Sequence, residues 1–146
     1  MTGLTPEHFN QAGQGRLPGL FGLEILRVEL GEVDARLDLR SDFLAPNGFL
    51  HAGTVVSLAD TCCGYGCMAA LPEGMVGFTT SELKSNFIRS TREDDALSCE
   101  ARMAHGGRTT QVWDATVRRE SDGKVLALFR CTQYLLVGAD PRTQQA

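Results

Sequence analysis

The stretch LHAGTVVSLADTCCGYGCMAAL, residues 50–71, constrains the fold more than any other part of this chain. It is almost entirely apolar or small, and Asp60 is its one charged residue. A helix that is apolar on nearly all sides has to be buried. The acidic side chain and the glycines and hydroxyl groups around it argue against a membrane span. We therefore predict one long helix at the centre of the fold.

Alternation of apolar and polar residues predicts strands on both sides of that helix. Residues 32–40, EVDARLDLR, alternate strictly, which is typical of a half-buried strand, and Gly31 predicts a tight connection to a preceding strand in GLEILRVEL. An antiparallel sheet with one wet face needs a cover for its other face. We predict an α+β fold in which such a sheet wraps round the central helix. Four more strands are expected after the helix, at about 78–89, 96–105, 109–119 and 124–136.

The length of 146 residues fits a single domain, residues 1–146. Residues 1–18 form a helical lead-in, with a short helix predicted at 5–13, and residues 137–146 are expected to be a frayed tail. A net charge of −4 argues against nucleic acid or an anionic membrane as a partner. The chain does not open with a secretory signal pattern, so we expect a cytoplasmic protein.

Five cysteines are an odd number, and three of them lie within six residues. A disulfide framework is therefore not expected, and a reducing compartment is. Cys63 and Cys67 share a helix face, but no second pair of ligands at a suitable spacing supports a metal site. We interpret the cysteines as small buried side chains.

Asp60 allows two interpretations. An aspartate inside a helix is almost never fully buried without a partner, so it could pair with a buried arginine or cap a nearby group. Alternatively, it is a carboxylate poised in a cleft for chemistry. The first backbone N–H groups of the helix, near Ala52, lack internal partners and lie at the positive end of the helix dipole, which suits a developing oxyanion. His51 alone is a weak signal, because a histidine at a helix N-terminus more often makes a structural hydrogen bond than acts in catalysis.

The segment NGFLHAGTVVSLADTCCGYGC resembles the central motif of the hotdog-fold thioesterases of the phenylacetate-degradation (PaaI-like) group. Their hallmark is a Gly-x-x-His-Gly-Gly run that opens the helix, with an aspartate nine residues after the histidine. His51 and Asp60 have this spacing, and TTSELKSNFIRS, residues 79–90, resembles the strand that follows the helix. The resemblance extends from about Leu20 to Leu136.

The resemblance implies a role for five residues around the reacting group. Asp60 would be the catalytic carboxylate, as general base or as nucleophile, and the N–H of Ala52 would polarise the thioester carbonyl. His51 and Asn47 would shape the substrate loop. Thr80 lies where the family often has a serine or threonine near the attacking water. Ala52 replaces the glycine of the common motif, which leaves the acyl preference open.

The resemblance also implies contacts with the substrate. Gly53 lies in the helix-opening motif, and Gly64, one turn after Asp60, would leave room that a larger residue would fill. Coenzyme A carries phosphates and an adenine, which basic side chains at strand ends could contact. Ordinary solvated surface charge is the alternative for each of these side chains. The candidates are Arg89, Arg92 and Arg108.

From these observations we expect an acyl-CoA thioesterase that hydrolyses a small aryl- or medium-chain acyl-CoA to a carboxylate and free CoA. No metal or redox cofactor is expected beyond the CoA of the substrate. The resemblance implies a homodimer with the site shared between subunits, and by extension a homotetramer. Two alternatives are a hotdog-fold dehydratase or hydratase, whose His-Phe-Pro run is absent here, and a non-catalytic acyl-CoA binding protein.

Overall fold

The first part of the chain forms short helices that lead into the sheet. The computed structural model describes residues 3–139. The predicted helix at residues 5–13 is confirmed, and the hydroxyl of Thr5 caps it by accepting from the His8 N–H at 3.2 Å. The predicted lead-in ends too early, because a further five-residue helix runs to Phe21 and stops at Gly22, where φ is 71°. The helices are α1 (Pro6–Ala12), α2 (Leu17–Phe21) and α3 (Ala52–Ala69), with a 3₁₀ turn at Ser41–Phe43.

Six antiparallel strands form one sheet in the spatial order β1-β2-β4-β5-β6-β3. All six predicted strands are present, with shifts of a few residues at their ends. Most of the predicted frayed tail, residues 140–146, lies outside the described residues, and residue 137 ends the last strand. The strands are β1 (Glu24–Glu29), β2 (Glu32–Asp38), β3 (Met75–Phe87), β4 (Ala96–Gly106), β5 (Thr110–Arg119) and β6 (Val125–Val137).

The inner face of the sheet packs against α3, which confirms the predicted architecture. Along β2, the apolar residues Val33, Ala35 and Leu37 are buried, as the alternation predicted. Val55, Leu58 and Cys62 of α3 belong to the same hydrophobic core as these side chains. Burial of this apolar surface, at about 25 cal/mol per Å², drives the sheet onto the helix.

The expectation that α3 is buried on all sides is wrong for the isolated chain. His51, Ala52 and Gly53 at its start are exposed, and Val56 and Asp60 further along the helix are only half-buried. One sheet covers one side of a helix, so the remaining side stays open unless another element packs on it. Within residues 3–139, neither α3 nor any shorter helix combines the length and the hydrophobicity that crossing a membrane requires.

All five cysteines are buried free thiols, which confirms their interpretation as small core side chains. Burial raises the pKa of Cys67 to about 12, so this thiol stays protonated and unreactive at neutral pH. Contact with Cys99, together with burial, holds the pKa of Cys62 well above its usual value. Within residues 3–139 no group of three or more histidine, cysteine or acidic side chains is placed to hold a metal ion.

We expect Gly66→Ala to lower the free energy of unfolding by about 1–3 kcal/mol, the usual cost of overpacking a core. A Cβ at Gly66 would lie 2.5 Å from Cη2 of Trp113, a fully buried ring with no room to move. Without such a contact, replacing glycine by alanine inside a helix stabilises the helix by about 1 kcal/mol. Chemical denaturation measures the change, with Gly77→Ala as control, since no atom lies within 4 Å of a Cβ there. A Gly66→Ala protein as stable as the wild type would contradict the close packing.

Candidate active site

The start of α3 leaves one backbone donor free. His51 is the N-cap of the helix, and its Nδ1 accepts a hydrogen bond from the Gly53 N–H at 2.8 Å. The Thr54 hydroxyl donates to the Phe43 carbonyl at 2.9 Å and anchors the first turn to the preceding loop. Within residues 3–139, the exposed N–H of Ala52 has no acceptor. A helix N-terminus with a free N–H is suited to binding a carbonyl oxygen or an anion.

Asn47 organises the loop that precedes α3. Its Oδ1 accepts from the Phe49 N–H at 3.1 Å, and the Gly48 N–H donates to the Ala45 carbonyl at 2.8 Å. Gly48 has a φ of 83°, a conformation that glycine adopts without strain. The loop is held to the rest of the chain because the Leu50 N–H donates to the Thr91 carbonyl at 2.9 Å. Asn47 therefore stabilises the turn in this loop, and its part in shaping the loop for a substrate stays a prediction.

Asp60 and Thr80 lie together between α3 and the edge strand β3. The Thr80 hydroxyl is 3.1 Å from Oδ1 of Asp60. No arginine or lysine of residues 3–139 forms an ion pair with Asp60, so the alternative of a buried Asp–Arg pair is not supported. Burial raises the pKa of Asp60, and the hydrogen bond from Thr80 offsets part of that rise. A carboxyl group with a raised pKa is typical of a general base or nucleophile.

Gln133 is a site residue that the sequence analysis missed. It is fully buried on the inner face of β6, opposite Thr80 in the register of β3 and β6, and its Oε1 lies 2.9 Å from the Thr80 hydroxyl. The signal that could have found it is a polar residue at an inward position of an alternating strand, between the buried Cys131 and Leu135.

The two predicted substrate-binding glycines allow close packing within the chain. A Cβ at Gly53 would lie 2.9 Å from Nδ1 of His51, so glycine there permits the helix cap. A Cβ at Gly64 would lie 2.8 Å from Cζ of Phe78. The space beside Gly64 is thus filled by the ring of Phe78, and a contact of either glycine with substrate stays a prediction.

The structure separates the three predicted arginines. The Arg89 N–H donates to the Leu126 carbonyl. The carbonyl of Thr109, which is next to Arg108, accepts from the Leu135 N–H. The two partners on β6, Leu126 and Leu135, are nine residues apart, which is about 30 Å along the strand. Arg92 lies near Arg89, and its guanidinium stacks on Phe49, beside the start of α3, at 4.5 Å. One subunit therefore brings Arg89 and Arg92 near the start of α3, but leaves Arg108 at the other end of the sheet.

Ala52 and Asp60 are not brought together within one chain. They are eight residues apart on α3, which is about 12 Å along the helix axis. A thioester carbonyl held by the Ala52 N–H and approached by the Asp60 carboxylate allows roughly 6–7 Å between those groups. The Asp60 side chain leans toward the helix N-terminus, which recovers only part of the difference.

Comparison with known proteins connects this geometry to a family. The family model described as "Thioesterase superfamily" matches residues 47–126, which include the helix start, Asp60 and Thr80. A 1,4-dihydroxy-2-naphthoyl-CoA hydrolase of Listeria monocytogenes is 30% identical over 111 residues, covering 76% of this chain and 88% of that protein. The acyl-coenzyme A thioesterase PaaI of Escherichia coli is 26% identical over 117 residues, 80% of each chain.

Solved structures agree with this match. The thioesterase HI1161 of Haemophilus influenzae superposes with a TM-score of 0.85 at 25% identity, and the alignment covers 94% of each chain. The PaaI protein of Escherichia coli superposes with a TM-score of 0.76 at 25% identity, covering 84% of this chain and 85% of that one. The sheet wrapped round α3 is therefore the hotdog fold, as predicted. The chain belongs to the Thioesterase superfamily and is a thioester hydrolase.

Proposed function

We propose that the protein is an acyl-CoA thioesterase of the PaaI-like group, which hydrolyses a small aryl- or medium-chain acyl-CoA to a carboxylate and free CoA. The observation that carries the proposal is the half-buried Asp60 carboxyl beside Thr80, on a helix whose first N–H is free. The names of the relatives, a naphthoyl-CoA hydrolase and an acyl-CoA thioesterase, support the same substrate class.

In this proposal, the Ala52 N–H donates a hydrogen bond to the thioester carbonyl oxygen. Negative charge that develops on that oxygen is stabilised by the N–H and by the helix dipole. Asp60 either removes a proton from the attacking water or attacks the carbonyl itself, and Thr80 orients the carboxylate. In the second route, water hydrolyses the mixed anhydride that forms, which releases the product acid and restores the Asp60 carboxylate. CoA leaves as a thiolate that takes up a proton. The reaction moves only protons and an acyl group, so the proposal needs no redox cofactor and no metal.

We further propose that each site is shared between two subunits of a homodimer. Asp60 contacts β3, which is thirteen residues long and forms one edge of the sheet. The edge carries exposed apolar side chains, with Val76 at 63%, Leu83 at 43% and Phe87 at 49% exposure. Long apolar edge strands are normally paired or covered. A two-fold axis beside β3 would place the start of one α3 beside the middle of the other. The resemblance to the family extends this proposal to a homotetramer.

Recognition of the CoA nucleotide is assigned in this proposal to Arg89 and Arg92, near the start of α3 in the same subunit as the Ala52 N–H. Guanidinium groups bind phosphates with paired hydrogen bonds. Arg108 would contact CoA only from another subunit. The stacking of Arg92 on Phe49 already presents one side of its guanidinium at the loop that precedes Ala52.

We expect the purified protein to release free CoA from at least one aryl- or medium-chain acyl-CoA without added metal. A thiol-release assay over a panel of acyl-CoAs measures this activity. Crotonyl-CoA is included, since hydration of its double bond without thiol release would indicate the hydratase alternative. Tight acyl-CoA binding by folded protein, with no turnover across the panel, would indicate a binding protein and would contradict the proposal.

A further inference from the structure

The Thr80 hydroxyl contacts two oxygen atoms that normally act as acceptors. Its Oγ1 is 3.1 Å from Oδ1 of Asp60 and 2.9 Å from Oε1 of Gln133. A hydroxyl has one hydrogen to donate, although it can accept from other donors. Thr80 therefore cannot donate to an ionised Asp60 and to the Gln133 carbonyl at the same time. One of the two partners has to be a donor itself.

Asp60, Thr80, Gln133 and Cys131 form a row of hydrogen-bonding side chains, and two arrangements of hydrogens pair one donor with one acceptor at every contact along it. When Asp60 is protonated, it donates to Thr80, Thr80 donates to the Gln133 carbonyl, and the Gln133 amide nitrogen donates to Cys131 Sγ, which lies 3.3 Å away. When Asp60 is ionised, Thr80 donates to it, and the Gln133 amide turns over so that its N–H donates to Thr80. The turned carbonyl then accepts from the Cys131 thiol. The structure shows the amide orientation of the protonated arrangement.

The burial of Gln133 favours these two arrangements over mixed ones. The residue is 0% exposed, so bulk solvent does not reach either end of its amide. A buried polar group without a partner costs about 1–3 kcal/mol, which is enough to disfavour mixed arrangements strongly. The orientation of the amide and the protonation of Asp60 are therefore linked through one hydroxyl group.

We propose that Gln133 is a positioning residue for the thioesterase reaction, whose amide turns over when Asp60 gains or loses a proton. The N–H of the turned amide fixes the Thr80 hydroxyl as a donor to the ionised carboxylate, which holds Asp60 ready for attack or proton removal. The relevance to catalysis rests on the proposed function, but the linkage itself does not. The two arrangements differ by one proton, which is the proton on Asp60.

No other charged group interferes with this linkage. Within residues 3–139, only burial and the Thr80 hydroxyl shift the pKa of Asp60, and no charged side chain acts on it. The inner face of β3 around Thr80 carries Phe78, Leu83, Ser85 and Phe87, none of which titrates. The titratable groups that α3 and β6 place near Cys131 are its own thiol and those of Cys63 and Cys67. Contact with Cys131, together with burial, holds the pKa of Cys63 well above its usual value, and burial raises that of Cys67.

The direct test follows side-chain amides by NMR in the free protein, with glutamine labelled with nitrogen-15. We expect the Gln133 amide resonance to titrate with the same midpoint as the carboxyl carbon of Asp60. Gln111 is an internal control, because it is buried on β5 and bonded to the Ala70 carbonyl at 2.9 Å and to Trp113 at 2.8 Å, outside the row. Its resonance should not follow that midpoint.

Thr80→Val removes the linking hydroxyl and keeps the side-chain shape. In this variant the Gln133 resonance should stop following Asp60. A Gln133 resonance that stays constant through the Asp60 titration of the wild type, or that still follows it in Thr80→Val, would overturn the proposal. This NMR measurement needs no turnover. The linkage can therefore be refuted in a protein that has thioesterase activity, and it can be confirmed in a protein that has none.

Discussion

Asp60→Asn should lower kcat at least about a hundredfold while the protein stays folded, the usual range for loss of a general base or acid. The amide has nearly the same shape and can still accept the Thr80 hydrogen bond, but it cannot accept a proton or attack a carbonyl. Steady-state thiol release on the best substrate measures the loss, and circular dichroism checks the fold. Activity within about threefold of the wild type would show that Asp60 has a structural role only.

The stability of the same variant provides a control with a defined sign. Burial raises the pKa of Asp60 above its value in the unfolded chain, so the folded state binds this proton more tightly. The resulting stabilisation is fully present below the unfolded pKa of about 3.9 and is lost as the pH rises through the folded value. Asp60→Asn should therefore be more stable than the wild type at neutral pH and lose that advantage below about pH 4.

Mixing two inactive variants should restore about a quarter of the wild-type activity if sites are shared between subunits. Asp60→Asn removes the carboxylate, and Ala52→Pro removes the free N–H. Proline is tolerated at the first position of a helix, and His51, with φ −71° and ψ 135°, has the extended backbone that a following proline requires. In a mixed dimer, one site would collect both defects and the other would be intact.

The fraction follows from random association. Half of the dimers formed by equal mixing are mixed, and each has one good site of two. The variants are refolded together, and subunit exchange is confirmed with a tag on one of them. If each site is built within one subunit, every site keeps one defect. An inactive mixture of folded, exchanged subunits would then reject the shared site.

The framework of this fold could be predicted because its patterns are local. The strict alternation of residues 32–40 is a short-range signal, and it describes the observed strand β2. The spacing of His51 and Asp60 on α3 is likewise a property of consecutive residues. The exposed start of α3 was missed because its exposure depends on how far the sheet extends along the helix. That extent is set by several strands together and cannot be predicted from one segment.

The partner of Asp60 illustrates the same limit within the site. Thr80 could be placed near Asp60 by resemblance, but Gln133 is 53 residues from Thr80 and becomes its neighbour only through the register of β3 and β6. In sequence, Gln133 differs little from other polar residues of a strand. α2 was missed because a helix of five residues that include Pro18 and Gly19 is too short to show a periodic pattern of apolar residues.

The cap of α3 fixes the tautomer of the His51 imidazole. Because Nδ1 of His51 accepts the Gly53 N–H, the hydrogen of the neutral ring has to be on Nε2. The exposed ring therefore offers a hydrogen-bond donor, and not an acceptor, at its other nitrogen. A group that binds to Nε2 beside the start of α3 has to be an acceptor, as the oxygen atoms of a phosphate or a carbonyl are.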